Sequence, residues 1–356
     1  MCRALWIFGA ALAILIISIA VSVYVPYRGF GSQGVYVDIP KGASRRTIAR
    51  MLSHQGVIRN RWAFEALSRW RSRRTLQAGE YYFDQPVTTL QVFDTVANGR
   101  IYVHQLVVPE GYSMFDIADL VQREDFTTRD EFLAAARNPA PIQDLAPNAA
   151  TLEGFLFPAS YEFPRHPSGQ EMVTAMVKRF RQEWATVTAQ QSNASGLSTE
   201  QVVTLASLVE RETPKPEERP IVAGVFANRL HRGVPLQCDP TVVYALEMAG
   251  QYSGTLHAEN LAFESPYNTY HHIGLPPGPV ANPGDASLRA ALNPAETNYL
   301  YFVANTEGGH FFSETLAEHN SNVALYRRRI AEQRNAQPSL AQPQQGSVTS
   351  SLPRPK

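Results

Sequence analysis

Two glutamates one residue apart, Glu210 and Glu212, close a mostly apolar run from Val202 to Val209. On a wheel of 100° per residue, Val202, Leu205, Ala206, Leu208 and Val209 share one arc. Arg211 points away from that arc, and the two glutamates fall on its edges. A carboxyl at the border of a buried face loses water on one side, which disfavours its charged form and moves it toward general-acid chemistry. A solvated pair of charges at a helix end has the same spelling, so the surroundings decide between the two.

Ser198, followed three residues later by Gln201, predicts a capping box at the start of this helix. Pro214 and Pro216 predict its end. Upstream, Thr151 to Phe163 packs aromatics around Glu153, which suits a sugar-stacking wall or a buried loop equally. A long amphipathic helix is expected over about Gln170 to Gln190. Downstream, Ile221 to Leu230 reads as a helix, with Asn228 and Arg229 suiting a structural cap and salt-bridge donor as well as a site. Asp239 before Pro240 resists helix, so Asp-Pro-Thr241 opens the next one. The segments 265–270, 274–279 and 282–284 form a loop system stiffened by Pro and Gly, where Tyr267, Asn268 and Tyr270 are held still. Tyr299 to Asn305 and Gly309 to Ser313 read as a hairpin, and Ser321 to Gln333 as a closing helix.

The amino-terminal half reads as a smaller α+β unit. Strands are expected over Gly34 to Pro40, Gly79 to Asp84 and Ile101 to Pro109, and helices over Ser44 to Ser53, Arg61 to Trp70 and Thr88 to Ala97. Pro40, Gly42, Ser44, Ile48 and Ala49 recur 69 residues later as Pro109, Gly111, Ser113, Ile117 and Ala118. Such strand-turn-helix pieces resemble LysM-like glycan-binding modules, and also suit a packing domain.

The 356 residues carry 32 basic and 32 acidic side chains, a formal net charge of zero, which argues against a general nucleic-acid binder. Ala4 to Val25 contains no charged residue and as a helix reaches about 33 Å, enough to cross a bilayer. A cleaved signal peptide ending near Ala20-Val-Ser22 is the rival reading. Cys2 and Cys238 predict no disulfide framework, and the Pro, Gln and Ser content beyond about Gln337 predicts a disordered tail. The expected layout is a tip (1–3), a transmembrane helix (4–25), a linker (26–33), a LysM-like domain (34–110), a catalytic domain (111–335) and a tail (336–356). The fold class is α+β.

Five ordered motifs sharpen this: Leu205-Ala-Ser-Leu-Val-Glu-Arg-Glu-Thr213, Phe226-Ala-Asn-Arg-Leu230, Leu236-Gln-Cys-Asp-Pro-Thr-Val242, Tyr267-Asn-Thr-Tyr270 and Gly274-Leu-Pro-Pro-Gly-Pro279. Together they resemble the MltG/YceG-like endolytic murein transglycosylases. The resemblance implies a single-pass bacterial inner-membrane lyase, its amino terminus cytoplasmic and its bulk periplasmic. Such an enzyme cuts peptidoglycan strands internally at the MurNAc–GlcNAc bond without water, leaves 1,6-anhydro-MurNAc ends and terminates nascent strands. It implies peptidoglycan synthases (penicillin-binding proteins) as partners, no cofactor and no metal, and Glu210 as the single acid/base. Around Glu210 we expect Glu153, Glu212, Gln237, Asp239, Thr241, Tyr267, Asn268 and Tyr270 to orient sugar or tune the acid. Cys238 stands where a hydroxyl would be acceptable, and a thiol there packs as a small apolar group.

Two other classes compete. A metal-dependent hydrolase would draw on Asp239, His257, His271, His272, His310 or His319, but these lack the i, i+4 histidine spacing of a helical zinc site. A membrane-tethered glycan-binding scaffold would leave Glu210 structural.

Overall fold

The computed structural model describes residues 17–336, together with Trp6, Ala13 and Ile14. The chain is α+β, and contacts divide it into two compact units: Met1–Asp144 with Ala150–Arg181, and Leu145–Ala149 with Gln182–Lys356. The boundary expected at residue 110 falls inside the first of them.

In the first unit β1 (Val35–Ile39) leads into α1 (Arg45–His54) and α2 (Arg61–Trp70), and β2 (Gly79–Phe83) returns antiparallel to β1 before α3 (Thr89–Ala97). Alternate strand residues and the inner helix faces meet in one core, with Ile39, Ile48, Leu52, Phe64, Tyr81 and Phe93 at its centre. Next come β3 (His104–Val107), α4 (Met114–Arg123), α5 (Arg129–Ala136) and β4 (Ser160–Phe163), the last antiparallel to β3. The two copies of the internal repeat fold alike. Gly42 and Gly111 take φ of 78° and 77°, a left-handed turn that a side chain would resist. Ser44 and Ser113 then cap α1 and α4, whose Ile48-Ala49 and Ile117-Ala118 pairs are buried.

Residues 17–24 are helical, and Thr89 Oγ1 donates to the Ser22 carbonyl at 2.7 Å. The span expected over 4–25 lies in good part outside the described residues; among those described, no helix is long and apolar enough to cross a membrane. The tip and the tail beyond residue 336 also lie outside them.

After α6 (Gly169–Gln190), the second unit is built on α7 (Thr199–Glu212), α8 (Arg219–His231), α9 (Asp239–Met248) and α10 (Asp285–Leu292), followed by the antiparallel pair β5 (Tyr301–Ala304) and β6 (His310–Ser313) and by α11 (Leu316–Ala336). Val202, Leu205, Ala206, Leu208 and Val209 of α7 are fully buried, as their arc predicted. In the first unit α5 and β4 have no counterpart among the expected elements, and in the second unit two elements differ from expectation. The closing helix starts at Leu316 instead of Ser321, because Thr315 Oγ1 accepts from Glu318 N at 3.2 Å while Glu318 Oε2 accepts from Thr315 N at 3.3 Å. Helix α10 was not foreseen at all: its N-cap is Gly284, which has no side chain to announce it.

Candidate active site

Helix α7 begins with the expected capping box. Ser198 Oγ accepts from Gln201 N at 3.3 Å, and Gln201 Oε1 accepts from Ser198 N at 3.0 Å. In its third turn Ser207 Oγ accepts from Val280 N at 3.0 Å, which pins the Pro- and Gly-rich loop onto the helix.

Glu210 follows one turn later, its side chain only 5% exposed. Arg219 Nη2 donates to Glu210 Oε1 at 2.8 Å, and Gly284 N donates to Oε2 at 2.9 Å. Arg219 is the first residue of α8 and its side chain is 7% exposed. Burial by itself favours the neutral acid, whereas a guanidinium and a backbone N–H on the two oxygens are the partners of a carboxylate. The sequence predicted only the first influence; Arg219 and Gly284 add the second.

Glu212, on the other edge of the arc, has a different environment. Desolvation pushes its pKa up, and Cys238 Sγ donates to its Oε1 at 3.0 Å. Burial, then the charge of Glu212, pushes the Cys238 thiol well above its ordinary value, so the buried sulfur stays protonated and packs.

Cys238 is also the N-cap of α9, where Thr241 and Thr269 lock the backbone. Cys238 N donates to Thr269 Oγ1 at 3.0 Å, Thr241 Oγ1 donates to the Cys238 carbonyl at 2.7 Å, and the two threonine hydroxyls lie 3.0 Å apart. One residue back, Gln237 sits in the left-handed region at φ 52°, its N–H bonded to the Thr269 carbonyl. One residue on, Asp239 Oδ1 accepts from the Tyr270 hydroxyl at 2.6 Å, and burial followed by that bond pushes the phenol's pKa up. Asn268 is fully buried and holds its own loop: Nδ2 donates to the Leu261 and Phe263 carbonyls, and Oδ1 accepts from Tyr270 N. Tyr267 packs on Tyr244 of α9 with ring centroids 5.1 Å apart.

Glu212, Gln237, Asp239, Thr241, Asn268 and Tyr270 are therefore joined through the Cys238–Thr269 bridge. Glu153 belongs to the first unit, where it is 2% exposed and its Oε2 accepts from Met114 N at 2.8 Å at the start of α4. Asn228 and Arg229 serve the scaffold. Asn228 Nδ2 donates to the Thr297 and Tyr299 carbonyls, and Arg229 donates to those of Leu300, Pro235 and Leu236.

A second buried network escaped the sequence reading. Glu218 accepts from Thr213 Oγ1 at 3.0 Å and from His310 N at 2.9 Å, and pairs with His310 Nδ1 at 2.7 Å. Burial raises the Glu218 pKa, but His310 and Thr213 together outweigh it and hold the carboxyl below its ordinary value. Among the described residues, no group of three or more His, Cys, Asp or Glu side chains is placed to hold a metal ion.

A carboxylate sheltered at the end of a buried helix and held at both oxygens is an arrangement that acid/base chemistry can use. The model of the YceG-like family matches residues 37–325, and the chain belongs to that family. It is 34% identical over 308 residues to an endolytic murein transglycosylase of Bacillus subtilis (strain 168), covering 82% of this chain and 84% of that one. It is 30% identical over 325 residues to an endolytic murein transglycosylase of Streptococcus pneumoniae (serotype 2, strain D39), covering 82% of this chain but 58% of the longer relative. The crystal structure of a yceG-like protein from Listeria monocytogenes matches with a TM-score of 0.53 and 34% identity, covering 82% of this chain and 99% of that one.

Proposed function

We propose that this protein is an endolytic murein transglycosylase, a lyase that cuts the MurNAc–GlcNAc bond inside peptidoglycan strands with Glu210 as its only acid/base. The observation that carries the reading is the Glu210 carboxylate, shielded from water and fixed at both oxygens. A hydrolase ordinarily needs two carboxylates, one for the leaving group and one for water or the anomeric carbon. A transglycosylase needs one, because the muramic C6 hydroxyl is the nucleophile.

Glu210, carrying a proton, gives it to the glycosidic oxygen as the C1–O bond breaks. The carboxylate then takes the C6 hydroxyl proton as O6 closes on C1, and the acid form is restored. The intramolecular hydroxyl supplies high effective concentration, and Arg219 and Gly284 hold the carboxylate in one orientation for both transfers. Gln237, Asp239, Tyr267 and Tyr270 orient the sugar, Thr241, Asn268 and Glu212 hold these groups in place, and Glu153 fixes α4. Residues 34–110 act as a LysM-like module and 4–25 as the membrane anchor that leaves the bulk in the periplasm. Termination of nascent strands, together with peptidoglycan synthases, is the role we assign.

Mass spectrometry of uncrosslinked glycan strands incubated with the full chain, or with its Glu210→Gln variant, tests the reading. Anhydro-muramic ends from the wild type, reduced at least 10²-fold in the variant, are expected of lost acid/base catalysis. Reducing ends would reveal hydrolysis, and undiminished cleavage by the variant would remove Glu210 from its role. Binding without cleavage by the wild type would favour the scaffold.

A further inference from the structure

The first unit concentrates charge that the proposed reaction does not use. The chain is neutral overall, yet residues 41–77 hold ten Lys or Arg against one acid, Glu65. That acid is buried and meets Arg69 at 3.4 Å. Arg71 and Arg74 share Asp94, and Lys41, Arg46, Arg50, Arg59, Arg69 and Arg73 are exposed, so the segment presents an excess of positive charge.

Helix α2 turns an unusual stripe outward. Ala63, Phe64 and Leu67 take its inner face into the core, while Trp62, Ala66, Arg69 and Trp70 line the outer one. Trp62 is 56% exposed and Trp70 78%, with the Arg61 guanidinium 4.5 Å from the Trp62 ring centroid. Arg45 Nη2 donates to the Ser72 carbonyl at 2.9 Å, so the start of α1, with exposed Arg46, lies at the end of α2, beside exposed Arg73. A groove of about 560 Å³ opens between Arg50, His54, Arg61, Thr47 and Ser53, with Asp38 as the one acid on its wall.

The same unit carries residues 17–24, the described end of the apolar amino-terminal run. Residues 17–24 expose Ile17 and Ile19, and the chain that follows passes the α1–α2 turn, where Gly29 N donates to the Gly56 carbonyl and Arg59 lies 4.9 Å from the Tyr27 ring. Exposed tryptophans beside arginines, in a unit that also carries an exposed apolar segment, are the composition of a protein face at a membrane–water interface. An anionic glycan would satisfy the arginines but give the tryptophan stripe and the apolar run of the same unit no common partner.

We propose that the outer face of α2 and the arginine groove beside it dock on the anionic surface of a phospholipid bilayer. Lipid phosphates meet Arg50 and Arg61, and the two indoles lie at headgroup level. This holds the first unit flat against the bilayer, a contact separate from any spanning helix and from glycan cleavage.

The full chain with Trp6→Phe, which removes emission from the apolar run, is placed in nanodiscs of phosphatidylcholine alone or mixed with phosphatidylglycerol. Quenching of the remaining tryptophans by a headgroup spin label is then read. Stronger quenching with phosphatidylglycerol is expected, lost in about 1 M salt, where the screening length falls to about 3 Å. It is also lost in Arg46→Glu/Arg50→Glu/Arg73→Glu and kept in the matching Lys variant, both with wild-type melting temperature. Equal quenching in the two bilayers, or quenching that survives charge reversal, would overturn the proposal. So would charge reversal that abolishes binding to lipid-free glycan strands while leaving lipid quenching intact.

Discussion

Arg219 Nη2 lies 2.8 Å from Glu210 Oε1, and the two side chains are shielded from water together. Removing one partner of such a pair strands a charge away from water, at a cost of about 3–5 kcal/mol, whereas removing both is far milder. Arg219→Met should therefore unfold much more readily than Glu210→Gln/Arg219→Met. Thermal and urea unfolding of the four members of the cycle measures this, and equal stability of the single and double variants would dissolve the coupling.

Activity should separate from stability at the same position. On the role proposed for Glu210, Arg219→Met, assayed where it is folded, should lose about 10²-fold in kcat with a smaller change in KM, because a carboxylate free to shift by about 1 Å would no longer meet the glycosidic oxygen. A purely structural role for Arg219 would leave the kcat of the folded fraction unchanged.

Glu212 has a raised pKa through desolvation, so the native state favours its protonated form. The stability this confers is complete below the ordinary value of 4.5 and is lost as pH climbs toward the raised one. Glu212→Gln, which mimics the neutral acid, should gain stability over wild type between pH 5 and 8, by about 1 kcal/mol. Melting temperatures across that range check the sign.

Glu218 behaves oppositely. Its pKa is held low by His310 and Thr213 against the effect of burial, so its contribution is complete above 4.5 and lost as pH falls through the depressed value. Glu218→Gln should be less stable than wild type at pH 6 and should narrow that gap below about pH 4. A gap that does not depend on pH would mean that the carboxylate charge contributes nothing.

Gly224 lies in the middle of α8, where an added Cβ would collide with the Ala295 carbonyl oxygen. Ala295 N also donates to the Pro220 carbonyl at 2.9 Å, so this segment cannot retreat freely. Gly224→Ala should cost about 1–3 kcal/mol despite alanine's better helix propensity, as chemical denaturation would show.

The elements that announced themselves in sequence are those whose ends are written in side chains. Ser44, Thr88 and Ser198 stand at the start of an expected helix and each caps it, and Ser113, at the repeat position of Ser44, does the same. Thr315 was written in the same code, paired with Glu318, and was overlooked. Gly284 could not be read this way, because its contribution is a backbone N–H. Glu210 stood out as the edge of an apolar arc, but Arg219 belongs to a different helix across a Pro-rich turn, and no spacing rule links the two. The density of Pro and Gly located the loop bearing Asn268, yet not that Asn268 would turn inward to hold the Leu261 and Phe263 carbonyls. Aromatic crowding drew attention to Glu153, whose carboxylate was then found at the start of α4. Local code reveals elements; it does not reveal which distant atom an element has been folded to meet.

The bond from Gly284 N to Glu210 joins residues 74 positions apart, and the intervening chain includes α8, α9 and the loop with Tyr267 and Tyr270. During synthesis the glutamate leaves the ribosome long before this donor exists. A chain truncated ahead of residue 284 therefore carries Glu210 without the backbone N–H that holds its Oε2, and any role of that carboxyl waits for the chain beyond α9.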